Sequence, residues 1–224
     1  MHVLDFLLPP RCGGCGMVGS WLCERCRVRI RRLEEPICRR CGVELESRRD
    51  HCACRVRLKS LTRLRSAVAY EGPIENAVHR FKYEGWRRLA QPLGQLLAER
   101  LVVEGLAARC IVAVPLHRDR HWERGYNQAE LLAADIRRRL ALFEPVGKLV
   151  RTRPTPPQVG RDRLRRFENV RDAFEWHGPV LGGEAMLVVD DVATTGATLD
   201  ACARALREAG SGPVTGVSVA RVTV

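Results

Sequence analysis

Eight of the ten cysteines fall within the first 54 residues, in four close pairs: Cys12-x2-Cys15, Cys23-x2-Cys26, Cys38-x2-Cys41 and Cys52-x-Cys54. In a secreted mini-protein that density means disulfides; without an export signal it means metal. Residues 1–10 are apolar but lack a basic start and a small-residue cleavage site, so no signal peptide is read there and a cytoplasmic location is expected. Each pair turns tightly enough to set two sulfurs about 2.3 Å from one Zn²⁺, and two pairs close a tetrahedral shell. Gly16 and Gly42, each directly after a pair, free the backbone for the tight knuckle this needs. With all eight cysteines as ligands no coordination position stays open, so the expected metal is structural: one or two Zn²⁺. The sequential partition (Cys12, Cys15, Cys23, Cys26, then Cys38, Cys41, Cys52, Cys54) needs only short loops, and an interleaved one also satisfies the spacing. Residues 1–58 are therefore read as a Cys-rich zinc-binding module. Chelation is expected to unfold it and spare the rest of the chain.

The 38 basic and 26 acidic side chains give a net charge of +12, of which +8 lies in residues 1–66. A basic excess on the Cys-rich end supports contact with single-stranded DNA, through Arg27, Arg29, Arg31 and Arg32 among others. No apolar run approaches the ~18 residues of a membrane span, so no membrane insertion is expected.

Residues 60–224 read as an α/β domain. Strands are expected over 65–71, 110–115, 185–189 and 214–219. Helices are expected over 73–82, 86–104, 126–141 and 197–209. Short continuous apolar runs alternating with helical periodicity indicate a parallel sheet flanked by helices. Ligands of such sheets sit at the carboxyl ends of the strands. Residues 116–125 are polar and basic, and 151–172 lack periodicity. Cys110, Cys202 and the four tryptophans (Trp21, Trp86, Trp122, Trp176) are read as packing residues.

The strongest functional stretch is residues 188–199, Val-Val-Asp-Asp-Val-Ala-Thr-Thr-Gly-Ala-Thr-Leu. A strand ends in two acids, passes through a small hydroxyl-rich loop and enters a helix. Loop amides and a helix N-terminus form an anion nest, and Thr194, Thr195 and Thr198 add hydroxyls. Asp190 and Asp191 suit vicinal sugar hydroxyls or a Mg²⁺ environment. Together these features describe a 5-phosphorylated ribose.

This stretch resembles the phosphoribosyl pyrophosphate (PRPP) signature of type I phosphoribosyltransferases. The resemblance implies that Asp190 and Asp191 contact the ribose, and that Ala193, Thr194, Thr195, Gly196, Ala197 and Thr198 cradle its 5-phosphate. A second segment, residues 113–133 with Arg124-Gly125-Tyr126-Asn127-Gln128 at its centre, narrows the match. With Lys82-Tyr83-x-Gly85, Gln158, Arg166-x-x-Asn169 and Ala173-Phe174 it resembles the competence protein F-like (ComF) family. That family couples an N-terminal zinc module to a phosphoribosyltransferase domain. One departure is Cys52-x-Cys54, where the family usually has Cys-x-x-Cys.

The resemblance implies a pyrophosphate-holding loop beginning at Pro115-Leu116-His117, with Arg118, Arg120 and Arg124 as cationic donors. It implies that 151–172 forms a mobile lid carrying Arg163 and Arg166, and that Mg²⁺ accompanies PRPP. It further implies transfer of a phosphoribosyl group to an acceptor the sequence does not name, a role in DNA uptake, and a helicase partner. A non-catalytic reading stands beside it: an accessory protein that binds single-stranded DNA and uses the pocket for a 5-phosphate or nucleotide. Related folds cover the acceptor with a variable hood. The zinc module occupies the corresponding chain position, and whether it covers the pocket is open at this stage.

Overall fold

The computed structural model describes residues 9–47, 52, 54–153, 170 and 172–223. The Cys-rich segment forms two knuckles of the same design. In the first, Arg11 and Val18 bridge antiparallel, and the Gly16 amide donates to Cys12 O at 2.7 Å. In the second, Ile37 bridges Glu44 and the Gly42 amide donates to Cys38 O at 2.8 Å. Both glycines hold positive φ, +81° and +68°, which a side chain would resist. Each knuckle is completed by a short helix that starts on a ligand pair: α1 (Glu24–Val28), entered from Cys23, and α2 (Cys54–Arg57).

The rest alternates strands and helices. In order they are β1 (Arg63–Ala69), α3 (Pro73–Tyr83), α4 (Ala90–Val103), β2 (Cys110–Ala113), α5 (Arg118–Arg124), α6 (Gln128–Leu140), β3 (Lys148–Arg151), β4 (Phe174–His177), β5 (Met186–Ala193), α7 (Ala197–Glu208) and β6 (Val214–Arg221). The main sheet runs β1-β6-β5-β2 with every neighbouring pair parallel. Its strands are apolar almost throughout because helices cover both faces; Met186 to Val189 are all buried. α3 starts on Pro73, whose missing amide costs nothing in a first turn, and buries Ile74, Ala77, Val78 and Phe81 at helical spacing. α7 buries Leu199, Cys202, Ala203 and Leu206 in the same way.

Four elements differ from the sequence reading. Residues 116–125 contain a helix, α5, which buries none of its side chains and so leaves no apolar periodicity. Its ends are set by polar means: His117 Nδ1 accepts from the Asp119 amide, and Gly125 takes φ +70° after the last turn. β3 and β4 form a separate antiparallel ladder at the two ends of the segment read as one loop. Finally, β5 continues through both acids to Ala193. Among the tryptophans, Trp21 and Trp86 pack edge to face and Trp176 donates to Pro179 O, but Trp122 is 88% exposed and is no packing residue.

The two knuckles share their cores with the sheet. Cys12, Leu22, Cys26 and Ile30 lie in one apolar cluster with Ala77, Phe81 and Leu89. Cys38, Cys41, Leu58 and Leu61 lie in a second with Leu64, Ala197 and Leu199. Polar ties follow the same division. Arg80 on α3 donates to Cys12 O (3.0 Å) and Gly13 O (2.6 Å), and Asp200 Oδ1 on α7 accepts from the amides of Ser60 and Leu61, both at 2.9 Å. Among the described residues, no helix is long and apolar enough to cross a membrane.

A buried hydroxyl chain crosses the sheet: Ser66 Oγ lies 2.7 Å from Ser218 Oγ, which donates to Ala220 O. Ser218→Ala strands the Ser66 hydroxyl and is expected to cost about 1–3 kcal/mol in urea unfolding. The double variant Ser66→Ala/Ser218→Ala is expected to be more stable than that single one; the reverse order would show that the pair is not coupled.

Candidate functional site

The two cysteine quartets are sequential. Cys12, Cys15, Cys23 and Cys26 form one, Cys38, Cys41, Cys52 and Cys54 the other, and within each all sulfurs lie within 4.8 Å of one another. Sγ–Sγ distances of 3.6 Å (Cys15–Cys23), 3.6 Å (Cys38–Cys54) and 3.5 Å (Cys41–Cys52) are far too long for disulfides. They approach the edge of a ZnS₄ tetrahedron, about 3.8 Å for Zn–S bonds of 2.3 Å. Cys52 and Cys54 both reach the second quartet although only one residue separates them, because α2 begins on Cys54 and turns its sulfur back. Burial opposes ionisation of Cys12, but amides of Cys23, Cys15 and Gly14 outweigh it and lower the thiol to about 6. Cys38 behaves likewise: burial is outweighed by amides of Cys41 and Arg40, and the thiol falls to about 7. Each quartet thus contains one thiol poised as the thiolate a metal needs.

A separate cavity of about 320 Å³ opens at the carboxyl ends of β2 and β5. It is lined by the whole run from Asp190 to Leu199, by Leu116, Arg120 and Arg124, and by Lys82, Tyr83 and Arg151. The strand-to-helix turn is fixed by Gly196, at φ +83°, where a Cβ would also lie 2.8 Å from Leu64 Cδ2. Thr195 Oγ1 accepts from the Ala197 amide at 3.3 Å and shapes the first turn of α7.

The acids are not equivalent. Lys82 Nζ lies 2.9 Å from Asp191 Oδ1. Burial works against the Lys82 charge, but Asp191 more than offsets it and holds the ammonium above its ordinary value. Asp190 Oδ1 accepts the Asp191 amide at 2.8 Å. Burial, then the charge of Asp191, pushes its carboxyl up to about 7, with Lys82 working in the opposite direction. The cavity therefore offers one carboxylate already neutralised by a lysine and one close to its titration point.

The site thus gathers Asp190, Asp191, residues 193–198, Leu116, Arg120 and Arg124 around one space. His117 is turned to its own helix cap, with Nδ1 3.1 Å from Asp119 Oδ2 as well. Arg118 lines a neighbouring cavity with His121 and Trp122. Arg163 and Arg166, with most of the expected lid, Gln158 and Asn169, lie outside the described residues. Arg124 reaches Gln128 Oε1 (3.1 Å) and its guanidinium lies over the Tyr83 ring at 4.9 Å. Asn127 caps α6 by accepting from the Ala129 amide and donates to Val114 O, tying α6 to the end of β2.

Two charged lining residues, Lys82 and Arg151, are absent from the sequence-derived site. Lys82 stood in the Lys-Tyr-x-Gly stretch, and its position in the last turn of an amphipathic helix gave no sign that it would meet an acid more than 100 residues away. Arg151 ends β3, a strand too short to show a pattern; burial, then Arg120, pushes its guanidinium pKa down, while Asp190 acts in the opposite sense. Among the described residues, none from the Cys-rich segment lines the cavity. The described ribbon residues pack beside the elements that support the pocket.

The raised Asp190 sets a pH dependence. A carboxyl held at about 7 in the fold and about 3.9 unfolded takes an extra proton on folding between those values. Its contribution is therefore fully present below pH ~4 and is lost as pH rises to ~7, with no further change above. Asp190→Asn is expected to exceed wild-type stability by on the order of a few kcal/mol at pH 8, and to match it at pH 4, in urea titrations at both values. An equal difference at both pH values would refute the raised carboxyl.

Comparison with known proteins agrees with this geometry at the level of family. The double zinc ribbon domain model matches residues 3–55. DNA utilization protein YhgH of Escherichia coli is 32% identical over 218 residues, covering 92% of this chain and 95% of that protein. Competence protein F of Haemophilus influenzae is 31% identical over 209 residues, covering 88% and 89%. Adenine phosphoribosyltransferase of Thermoanaerobacter pseudethanolicus is 18% identical over 62% of this chain and 83% of its own, with a TM-score of 0.39, a likeness too slight to bear on the site. With two zinc-ribbon quartets joined to a parallel α/β sheet, and full-length relatives above 30% identity, the chain belongs to the competence protein F (ComF) family.

Proposed function

We propose that the cavity binds PRPP, or a closely related 5-phosphoribosyl ligand, and that the protein transfers the phosphoribosyl group to an acceptor. The observation that carries this reading is the gathering of three unlike chemistries around one space. The 193–198 turn offers amides and hydroxyls to a phosphate. Asp190 and Asp191 offer acceptors to vicinal hydroxyls. Arg120, Arg124 and Arg151 offer forked cations to a pyrophosphate.

Lys82 fits this reading. Two adjacent carboxylates beside a phosphate would repel it; the ammonium removes one charge and orients Asp191. The same pairing bears on Mg²⁺. With Asp191 engaged, Asp190 and the ligand's own oxygens would hold the ion, in keeping with the few protein ligands Mg²⁺ takes. When bound it would neutralise charge on the pyrophosphate. The arginines would share that task and stabilise the leaving group as its bond to C1 lengthens.

The relatives' names tie two of them to DNA utilisation and competence, and we extend that setting, DNA uptake, to this chain. The non-catalytic DNA-binding alternative draws less support. Arg31 pairs with Glu44 and Glu71, both at 2.8 Å, while Arg27 and Arg32 face Glu99 at 3.7 and 3.3 Å. Through Glu71 and Glu99 these three arginines join the ribbons to the sheet domain, while Arg29 is exposed and stands outside these pairs.

Calorimetric titration of zinc-loaded protein with PRPP and Mg²⁺ tests the reading. Wild type is expected to bind, and Asp190→Asn/Asp191→Asn to bind at least ~10-fold more weakly. Pyrophosphate release measured alongside distinguishes turnover from binding. No binding by zinc-loaded wild type would overturn the proposal and make single-stranded DNA the next ligand to titrate.

A further inference from the structure

α5 buries none of its side chains, so the core does not account for what its faces carry. Residues four apart on a helix share a side, and residues two apart project to opposite ones. Arg120 and Arg124 line the cavity that holds the acid pair. Arg118 and Trp122, with His121, line a second cavity of about 570 Å³. The two spaces share Pro115, Leu116 and Asn127, but neither the acid pair nor any residue of the 193–198 turn lines the second. α5 is thus a partition with a ligand-sized space on either side. The second space is the larger, and it falls within the range of small-molecule sites.

Its walls carry three unlike groups. Trp122 is 88% exposed and borders the cavity. A lone exposed tryptophan is ordinary; one at a cavity, beside a cation, is a platform on which a flat ring stacks. That cation is Arg118, which is exposed and whose side chain forms no ion pair or hydrogen bond among the described residues. Its guanidinium fork is open to an anion, whereas Arg124 is engaged with Gln128 and Tyr83. The third group is Glu130, in the first turn of α6. Asn127 Nδ2 donates to Glu130 Oε1 at 3.2 Å and to Val114 O at 3.0 Å, which orients the carboxylate and leaves Oε2 to accept. A flat ring, an N–H donor on that ring and an anionic group complement these walls. A nucleotide with an exocyclic amino group carries all three.

We propose that the second cavity is a separate site for one amino-bearing nucleotide, whose base stacks on Trp122 and donates to Glu130 while its phosphate meets Arg118. One aromatic platform and one open arginine suit a single nucleotide; a strand calls for successive platforms along a basic groove. Arg118, expected from the sequence to hold pyrophosphate, thereby serves a different anion. The inference goes beyond the PRPP reading and does not rest on it, because Arg118, Trp122 and Glu130 all lie outside the first cavity.

Calorimetric titration with AMP tests the site in full-length, zinc-loaded Asp190→Asn/Asp191→Asn protein, where the first cavity is disabled. That protein is expected to bind AMP. Adding Trp122→Ala is expected to weaken binding at least ~10-fold, the scale of one stacked base, and adding Arg118→Ala at least ~5-fold. IMP, a purine nucleotide without the amino group, is expected to bind at least ~5-fold more weakly than AMP, with the gap closing in Glu130→Ala. No AMP binding at millimolar concentration, or equal binding with and without Trp122, would overturn the site. A gap between AMP and IMP that persists in Glu130→Ala would overturn the Glu130 contact. Trp122-dependent binding of a single-stranded oligonucleotide at least ~10-fold tighter than AMP would overturn the single-nucleotide assignment. So would a dimer, seen by sedimentation, that Trp122→Ala dissociates, since the face would then belong to a second copy. In the wild-type background Trp122→Ala is expected to leave PRPP affinity unchanged, and failure of wild type to bind PRPP would count against the earlier proposal alone.

Discussion

Consecutive carboxylates at the end of a buried parallel strand repel each other, and Lys82 is what makes the Asp190–Asp191 step tolerable. Its ammonium sits 2.9 Å from Asp191 and leaves the remaining cost on Asp190, whose carboxyl rises to about 7. The lysine comes from the last turn of α3, so α3 must be held in place along its length. It is held apolarly by Ile74, Ala77, Val78 and Phe81 and, on the ribbon side, by Arg80 reaching Cys12 and Gly13. The order of dependence therefore runs from the first zinc knuckle to α3, to Lys82, and to the acid pair.

Much of the positive charge is spent in such internal seams. Arg65 is buried, binds Glu104 at 2.9 Å, and donates to Leu64 O and Arg39 O. Arg40 donates to Leu58 O, and Arg31 Nη1 donates to both carboxylate oxygens of Glu44. An arginine is suited to this work because its planar fork meets several acceptors at once without losing its charge. The +8 counted over residues 1–66 is thus in part a property of the interface between ribbons and sheet, and overstates what the surface offers to nucleic acid.

How much the sequence revealed depended on whether the physics was local. The zinc quartets, the Asp-Asp turn with Gly196, and helices such as α3 and α7 rest on spacings within about a dozen residues, and those were legible. The partition of the cysteines was half legible: short loops favoured sequential quartets, but only the fold excluded interleaving. α5 was missed because a helix that buries nothing carries no apolar period, and β3–β4 because strands of four residues carry almost none. Lys82 and Arg151 were missed for a different reason. Each is an ordinary basic residue in its own element and gains a role only from a partner far away in sequence.

Where the ribbons sit also bears on selectivity. A cap in their chain position would set what may approach the cavity, yet among the described residues no ribbon side chain lines it. The ribbons instead grip the two elements that shape the site, α3 with Lys82 and the turn entering α7. Such a support fixes the distance between the acid pair and the phosphate-type turn without contributing a contact of its own. Discrimination among incoming partners then falls to the side chains that do line the opening. Tyr83 is 62% exposed and held by Arg124, while Arg151 and Val170 flank the described residues on either side of 154–169. A platform of this kind leaves Tyr83 and Val170 open to change with the incoming partner, because neither pairs with the acids nor shapes the phosphate-type turn.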